Sequence, residues 1–237
     1  MASWYSEVWR KKMKMLLKII LFTLITTGKT HANKTSTDFG DNDTSIKNFI
    51  SFPDIRGDSA ATISCSGIIK KNGKLNNSGC YIKKPGDEVY VIEINKAAKK
   101  SRFIPATHNG KSLITYFQYL VHFIQQGESK EIYFYPNPGY KENIEAYGIE
   151  HFAAQRSIGK ENWQKLCPRH QRFTVWVKAH VNEIGQQSNV SLTKGSGLQI
   201  SEKCRKAIEE TINSSIFIPA NYKGVTVPST YIEPFGN

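Results

Sequence analysis

The sequence contains no Cys-x-x-Cys pair, no dense run of lysine and arginine, no array of prolines and no uninterrupted apolar run of bilayer length. The first absence removes the usual spacing of structural zinc and of dithiol redox chemistry. Cys167-Pro168-Arg169-His170 offers one isolated Cys/His pair, so no metal and no other cofactor is expected. The second argues against a cation-lined nucleic-acid groove. The 237 residues carry 32 Lys+Arg against 20 Asp+Glu, a formal charge of +12. Six of those basic residues and one acid lie in the first 32 positions, leaving 26 against 19 spread along the rest, and no nucleic-acid partner is expected. Nine prolines without a repeat exclude a long proline-rich spacer. The apolar run Leu16 to Ile25 is broken by Lys18 and is shorter than the ~20 residues an easy membrane span needs. His31, His108, His122, His151, His170 and His180 form no recognisable set, and Glu142, Glu145, Glu150 and Glu161 read as solvated helix charges. No nucleophile, base or paired acid stands in register, so an enzyme is not expected.

What is present is ordinary globular composition, 39% hydrophobic and 22% charged, enough for a packed core. Met13 to Ala32 has a basic start, an apolar stretch and the small-residue end Thr30-His31-Ala32. This predicts a signal peptide over 1–32, cleaved near Ala32, and export to the periplasm if the source is bacterial. A short uncleaved anchor facing the periplasm is the alternative. In an oxidising compartment the even set Cys65, Cys80, Cys167 and Cys204 allows disulfides, with buried free thiols as the other reading.

The chain repeats itself. Phe103 to Lys111 reads FIPATHNGK and Phe217 to Val225 reads FIPANYKGV, 114 positions later. Upstream of each, Asp87 to Arg102 and Ser201 to Ile216 begin with good N-cap residues. Tyr90, Ile94, Ala97 and Ala98, matched by Cys204, Ile208, Thr211 and Ile212, fall on one helical face. Further back, Ala61 to Leu75 and Phe173 to Gln187 alternate with period two, the signature of half-buried strands, at an offset of 112. Asn72-Gly73 predicts a two-residue hairpin turn, and Gly185 holds the matching place. Gly110 and Gly224 predict tight turns into last strands, Ser112 to Phe123 and Val225 to Phe235. Each copy therefore reads hairpin, helix, strand: an α+β unit in which one helix packs a three-stranded antiparallel sheet.

In the hairpin register Cys65 lies opposite Cys80, where the second copy has Val177 and Leu192. A cross-strand disulfide is expected there, provided a bulge or longer turn relieves the diverging side chains of a hydrogen-bonded pair. Cys167 is then left to pair with Cys204. The expected organisation is a flexible segment 33–50, a first unit 51–126, a connector with a short helix 127–171 without counterpart in the repeat, and a second unit 172–237.

Hairpin, helix, then F-x-P-A, a Gly turn and a last strand resemble the C-terminal domain of TonB, the energy transducer of Gram-negative envelopes. Phe103, Pro105, Ala106, Asn109, Gly110 and Lys111 match the pattern F-x-P-A-x-x-N-G-K; Phe217, Pro219, Ala220 and Gly224 match in the second copy, where Lys223 and Val225 replace Asn and Lys. Phe52 to Ala60 is a partial match to the family's Y-P-x-x-A-R opening. The motif residues are expected to maintain the fold, with Phe closing the core and Pro stopping the helix.

The resemblance implies two TonB-like ββαβ units and a non-enzymatic periplasmic module that binds an extended peptide or envelope protein by strand addition. It places that edge on the last strand. The candidates are Leu113, Ile114, Thr115, Tyr116, Phe117, Gln118, Tyr119 and Leu120, or the span Val225 to Ile232, which Pro228 blunts. An outer-membrane protein or another envelope protein is the implied partner, with the membrane touched only by the signal or a short anchor. Alternatives are a TonB-type transducer for outer-membrane transport anchored by residues 13–27, and an exported enzyme with an unrecognised site.

Overall fold

The computed structural model describes residues 33–236, so the signal-peptide and anchor expectations on 1–32 lie outside the described residues. The chain enters as β1 (Lys34–Thr35) and a single 3-10 turn at Ile46–Asn48. It then forms the hairpin β2 (Ser59–Ile69) and β3 (Leu75–Tyr81), followed by helix α1 (Glu88–Lys100). A small hairpin β4 (Thr107–His108) and β5 (Lys111–Ser112) leads into the long β6 (Thr115–Gln126). After β7 (Ser129–Tyr135), helix α2 (Lys141–Tyr147), β8 (Gln155–Ser157) and helix α3 (Trp163–Leu166), the order repeats. The repeat comprises the hairpin β9 (Phe173–Val181) and β10 (Gln187–Gly197), helix α4 (Glu202–Ser214), and a short strand β11 (Phe217–Ile218). The hairpin β12 (Ala220–Tyr222) and β13 (Val225–Val227) and the last strand β14 (Ser229–Gly236) complete it. The α+β class is as expected.

The helix faces fall where the spacing puts them. Tyr90, Ile94, Ala97 and Ala98 are buried on α1, and Cys204, Ile208, Thr211 and Ile212 on α4, joined by Ala207. Both helices end at the residue that proline dictates. A proline ring clashes with the carbonyl four residues back, and Ser101 and Ser215, four before Pro105 and Pro219, are the extended C-caps. Ser201 caps α4 by accepting from Cys204 N–H, but Asp87 does not cap α1. Its backbone is already helical, and its carboxylate accepts instead from the N–H groups of Lys83 and Lys84, both at 3.0 Å.

The two hairpins share one departure from the expected two-residue turn. Lys70 N–H donates to Lys74 O and Gly73 N–H to Lys70 O, and Asn182, Gln186 and Gly185 repeat this arrangement. The longer turn is corrected downstream by a bulge at Asn77 (φ 47°) and Asn189 (φ 52°), which restores Cys65 opposite Cys80 and Val177 opposite Leu192. Both expected disulfides, Cys65–Cys80 and Cys167–Cys204, are formed. Gly73 and Gly185 sit at positive φ, and a Cβ on either would come within 2.1 Å and 2.3 Å of the carbonyl oxygens of Phe103 and Phe217. The turn glycine and the FIPA phenylalanine therefore touch in both copies. Asn109-Gly110 and Lys223-Gly224 form type I′ turns, with φ positive at all four residues.

Phe103 and Ala106, like Phe217 and Ala220, are buried, so the motif closes the core between helix and sheet. One core gathers Ile63, Ile94, Phe103, Phe117, Tyr119 and Phe123, and a second gathers Val177, Ile208, Ile212, Phe217 and Tyr231.

The expected boundaries need correction. Segment 33–50 is not a flexible leader: Phe39 and Ile46 are buried in the first core, and β1 pairs with β4. Phe39 and Ile46, with Ile50 packed against the same core, suffice to dock a mostly polar stretch. Nor is all of 127–171 without counterpart. Thr35 pairs with Thr107 and Asp38 with Ile104; Phe152 pairs with Asn221 and Gln155 with Ile218. Each copy thus begins with its own strap across its FIPA segment, followed by a short helical turn. The straps lock together, Thr37 N–H donating to Gln155 Oε1 (2.8 Å) and Gln155 Nε2 to Thr37 O (3.1 Å).

The first sheet is larger than three strands. Its order is β11-β8-β6-β2-β3, with β7 also on β6, while the second keeps β10-β9-β14. Because β11 of the second copy joins β6 of the first through β8, the chain from Asn33 onward is one compact unit rather than two beads. No helix among the described residues is long and apolar enough to cross a membrane.

Candidate functional site: the edges of the two sheets

The expected binding edge is not an edge. Strand β6 pairs with β2 from Thr115 to Gln125 on one side; on the other, Thr115 and Tyr116 pair with β8 and Leu120 to Gln126 with β7. Leu113 and Ile114 precede the strand and are engaged as well, Leu113 N–H donating to Ala106 O (2.8 Å) and Ile114 O accepting from Ile158 N–H (2.7 Å). The Gly127-Glu128 turn, with Gly127 at φ 58°, folds the chain straight back over the position an incoming strand would take. Phe117 and Tyr119 point into the first core, and Tyr116 packs against the second. Of the expected contact residues, Gln118 lines an open groove of about 450 Å³ with Tyr140, Trp176, Lys178 and Ile232.

The second candidate, Val225 to Ile232, is split between β13 and β14. The outer edge of β14 carries a plug from α2. Asn143 Oδ1 accepts from Thr230 N–H (3.0 Å) while its Nδ2 donates to Thr230 O (2.8 Å), the two bonds a neighbouring strand would make. Tyr147 Oη donates to Pro228 O (2.7 Å). Thr230 therefore aims its backbone outward, and by alternation so do Ile232 and Pro234; Pro234 has no N–H to offer.

Of the strands longer than three residues, β3, β7, β10 and β14 have no strand on one side among the described residues, and the Asn143 plug already occupies that side of β14. Bulges interrupt β3 once and β10 twice, and Arg205 Nη1 donates to Leu192 O on β10 (3.3 Å). Strand β7 is different. All seven residues pair with β6 in unbroken register from Gln126–Ser129 to Leu120–Tyr135. In a two-residue hairpin the closing pair is hydrogen-bonded. The N–H and C=O groups of Ser129, Glu131, Tyr133 and Tyr135 then face β6, and those of Lys130, Ile132 and Phe134 face outward. Ile132 and Phe134 pack on the first core, and the Tyr133 and Tyr135 rings stack at 6.5 Å. Tyr133 is 42% exposed, so the strand is anchored on one face and presents aromatic surface on the other. The sequence reading left this strand within the connector 127–171, where Pro136 and Pro138 follow it closely.

Sequence reasoning also missed a buried charge cluster. Arg156, 1% exposed on β8, donates through Nε and Nη2 to Glu233 of β14 (2.6 and 2.7 Å) and through Nη1 to Glu161 (2.5 Å). Tyr231 Oη also donates to Glu233, and Trp163 Nε1 to Glu161 (2.8 Å). Burial opposes the Arg156 charge, but the Glu233 carboxylate outweighs it and holds the guanidinium pKa well above its usual value. The cluster joins the strap of the second copy to its last strand. All its polar groups are spoken for, so it is a joint rather than a reactive site. Among the described residues no three His, Cys, Asp or Glu side chains stand together as metal ligands.

Burial pushes up the phenol pKa values of Tyr119, Tyr116 and Tyr231, with Glu233 raising the last two further. A phenol kept protonated by the fold binds a proton that the unfolded chain loses near pH 10. Its contribution is therefore complete below about pH 10 and lost as the pH rises beyond it, by about 1.4 kcal/mol per pH unit, or about 4 kcal/mol per unit for the three together. Urea unfolding between pH 8 and 11.5 should show a steep alkaline fall. A flat profile to pH 11 would contradict the burial of these hydroxyls.

A scan against protein-family models matches none, and searches of curated proteins and of solved structures return no match.

Proposed function

We propose that the chain is a non-catalytic protein-binding module that takes an extended peptide segment as an added strand along the outer edge of β7. The observation that carries this reading is the unbulged β7 edge, with the backbone groups of Lys130, Ile132 and Phe134 directed outward beside the exposed Tyr133. Main-chain pairing supplies affinity in such a complex, and alternate side chains supply selectivity. Of the other long edges, β3 and β10 are bulged and β14 is plugged by Asn143. Two disulfides indicate an oxidising, extracytoplasmic compartment, and the periplasm is the compartment proposed. Two hairpin–helix–FxPA–strand units favour a TonB-like reading of the fold, with strand addition moved one strand outward because β7 covers β6. The partner is an envelope protein offering an unpaired stretch.

Peptides selected from a random ten-residue display library, followed by amide exchange on the complex, test the proposal. Lys130, Ile132 and Phe134 should gain protection. Lys130→Pro should weaken binding at least about tenfold while leaving the fold intact, because it removes an outward N–H and no ladder bond. Protection confined to another strand, or binders indifferent to Lys130→Pro, would sink the β7 assignment.

A further inference from the structure

The two copies share a fold but not a surface, so each serves as a control for the other. At the turn between β2 and β3 the first copy has Lys70, Lys71 and Lys74; the second has Asn182, Glu183 and Gln186. At the end of the helix the first has Lys99, Lys100 and Arg102, the second Asn213, Ser214 and Ile216. Six basic residues thus stand where the second copy has none. The turn and the helix end meet, because Phe103 N–H donates to Gly73 O (2.9 Å). No ion pair engages any of the six among the described residues. The fold does not require them, since the same turn and helix form without them.

The outward face of α1 differs in the same way. Val89 and Ile92, 39% and 50% exposed, share a stripe with Lys96, Lys99 and Lys100. The equivalent stripe of α4 carries Lys203, Lys206, Glu210, Asn213 and Ser214. Exposed aliphatics beside a lysine cluster are therefore a property of the first copy alone.

We propose that this face of α1 and the adjoining β2–β3 turn rest on a bilayer surface rich in anionic phospholipid. Lysine ammonium groups on long stems meet diffuse headgroup charge while aliphatic side chains enter the interface, the arrangement of helices that lie in a membrane plane. A nucleic acid would call for arginine forks and stacked rings, whereas five of the six basic residues are lysine and the exposed apolar ones on α1 are aliphatic. A self-complementary dimer through this face would oppose like charges. The proposal is independent of strand addition, which uses β7.

The test uses the full chain and vesicles of phosphatidylglycerol mixed equally with phosphatidylcholine, against phosphatidylcholine alone. The variant Lys70→Asn, Lys71→Glu, Lys74→Gln, Lys99→Asn, Lys100→Ser carries the second copy's own residues, so it keeps the fold, which circular dichroism verifies. Residues 1–32 are identical in parent and variant, so their own lipid affinity cancels. The variant's partition coefficient on the anionic vesicles should fall by about a hundredfold or more. A second variant, Ile92→Trp, should gain fluorescence quenching by brominated phosphatidylglycerol. Equal partitioning of parent and variant, or an Ile92→Trp signal blind to brominated lipid, overturns the proposal. So does binding of a single-stranded DNA oligonucleotide with the same lysine dependence but without vesicle binding.

Discussion

Loss of both disulfides is expected to lower the unfolding free energy by about 7 kcal/mol, roughly 3 for the Cys65–Cys80 loop and roughly 4 for the Cys167–Cys204 loop. The two bonds close sequence separations of 15 and 37, and the longer loop loses more denatured-state entropy when it is tied. Domains of this kind are stable by only ~5–15 kcal/mol, so reduction removes around half of what holds the chain folded. The two copies allow the effect to be separated into cross-link and packing. Val177 faces Leu192 at the register where Cys65 faces Cys80. Cys65→Val with Cys80→Leu fills the volume with the second copy's pair and leaves only the cross-link missing; Cys65→Ala with Cys80→Ala adds a packing defect. Urea denaturation should rank parent, Val/Leu variant and double-alanine variant in falling stability. An unchanged midpoint on reduction would mean that the packed apolar pairs alone suffice.

Arg156→Ala is expected to cost about 3–5 kcal/mol, because it strands the carboxylates of Glu233 and Glu161 in a buried site with no cation. The desolvation of a lone carboxylate, not the loss of an attraction, sets the size of the effect. The triple variant Arg156→Met, Glu233→Leu, Glu161→Gln removes the charges together and should recover most of the loss. The site lies where β8, paired with β6, meets β14 of the second copy. Denaturation followed separately through Tyr119 and Trp163 should therefore lose its coincidence in Arg156→Ala. A single coincident transition at parental stability would show that the cluster is not the joint described.

Much of the fold was legible because its signals are local. Alternation over β2 and β9, the four apolar positions on each helix, Pro105 and Pro219 beyond the helix ends, and Gly73 and Gly185 in their hairpin turns each depend on residues near in sequence. The Cys65–Cys80 pair was legible because hairpin register is set by the turn, and the structure supplied the bulge at Asn77 that the register required. Asp87 misled because a good capping residue takes that role only when its own backbone is extended.

What a peptide would find on this surface was not legible. Leu113 to Leu120 reads as a last strand whether or not another strand lies beside it, since every backbone offers the same donors and acceptors. Asn143 gives no hint of Thr230, 87 residues away, nor Arg156 of Glu233, 77 residues away. Sequence pattern alone determined the two main hairpins, the two long helices, their buried faces and the duplication, because these follow from a repeated local motif and from the 3.6- and 2-residue spacing of apolar side chains. Only tertiary structure decided that β6 is interior, β14 plugged and β7 open, because an edge is defined by what fails to pair with it, and that is settled by contacts between distant segments.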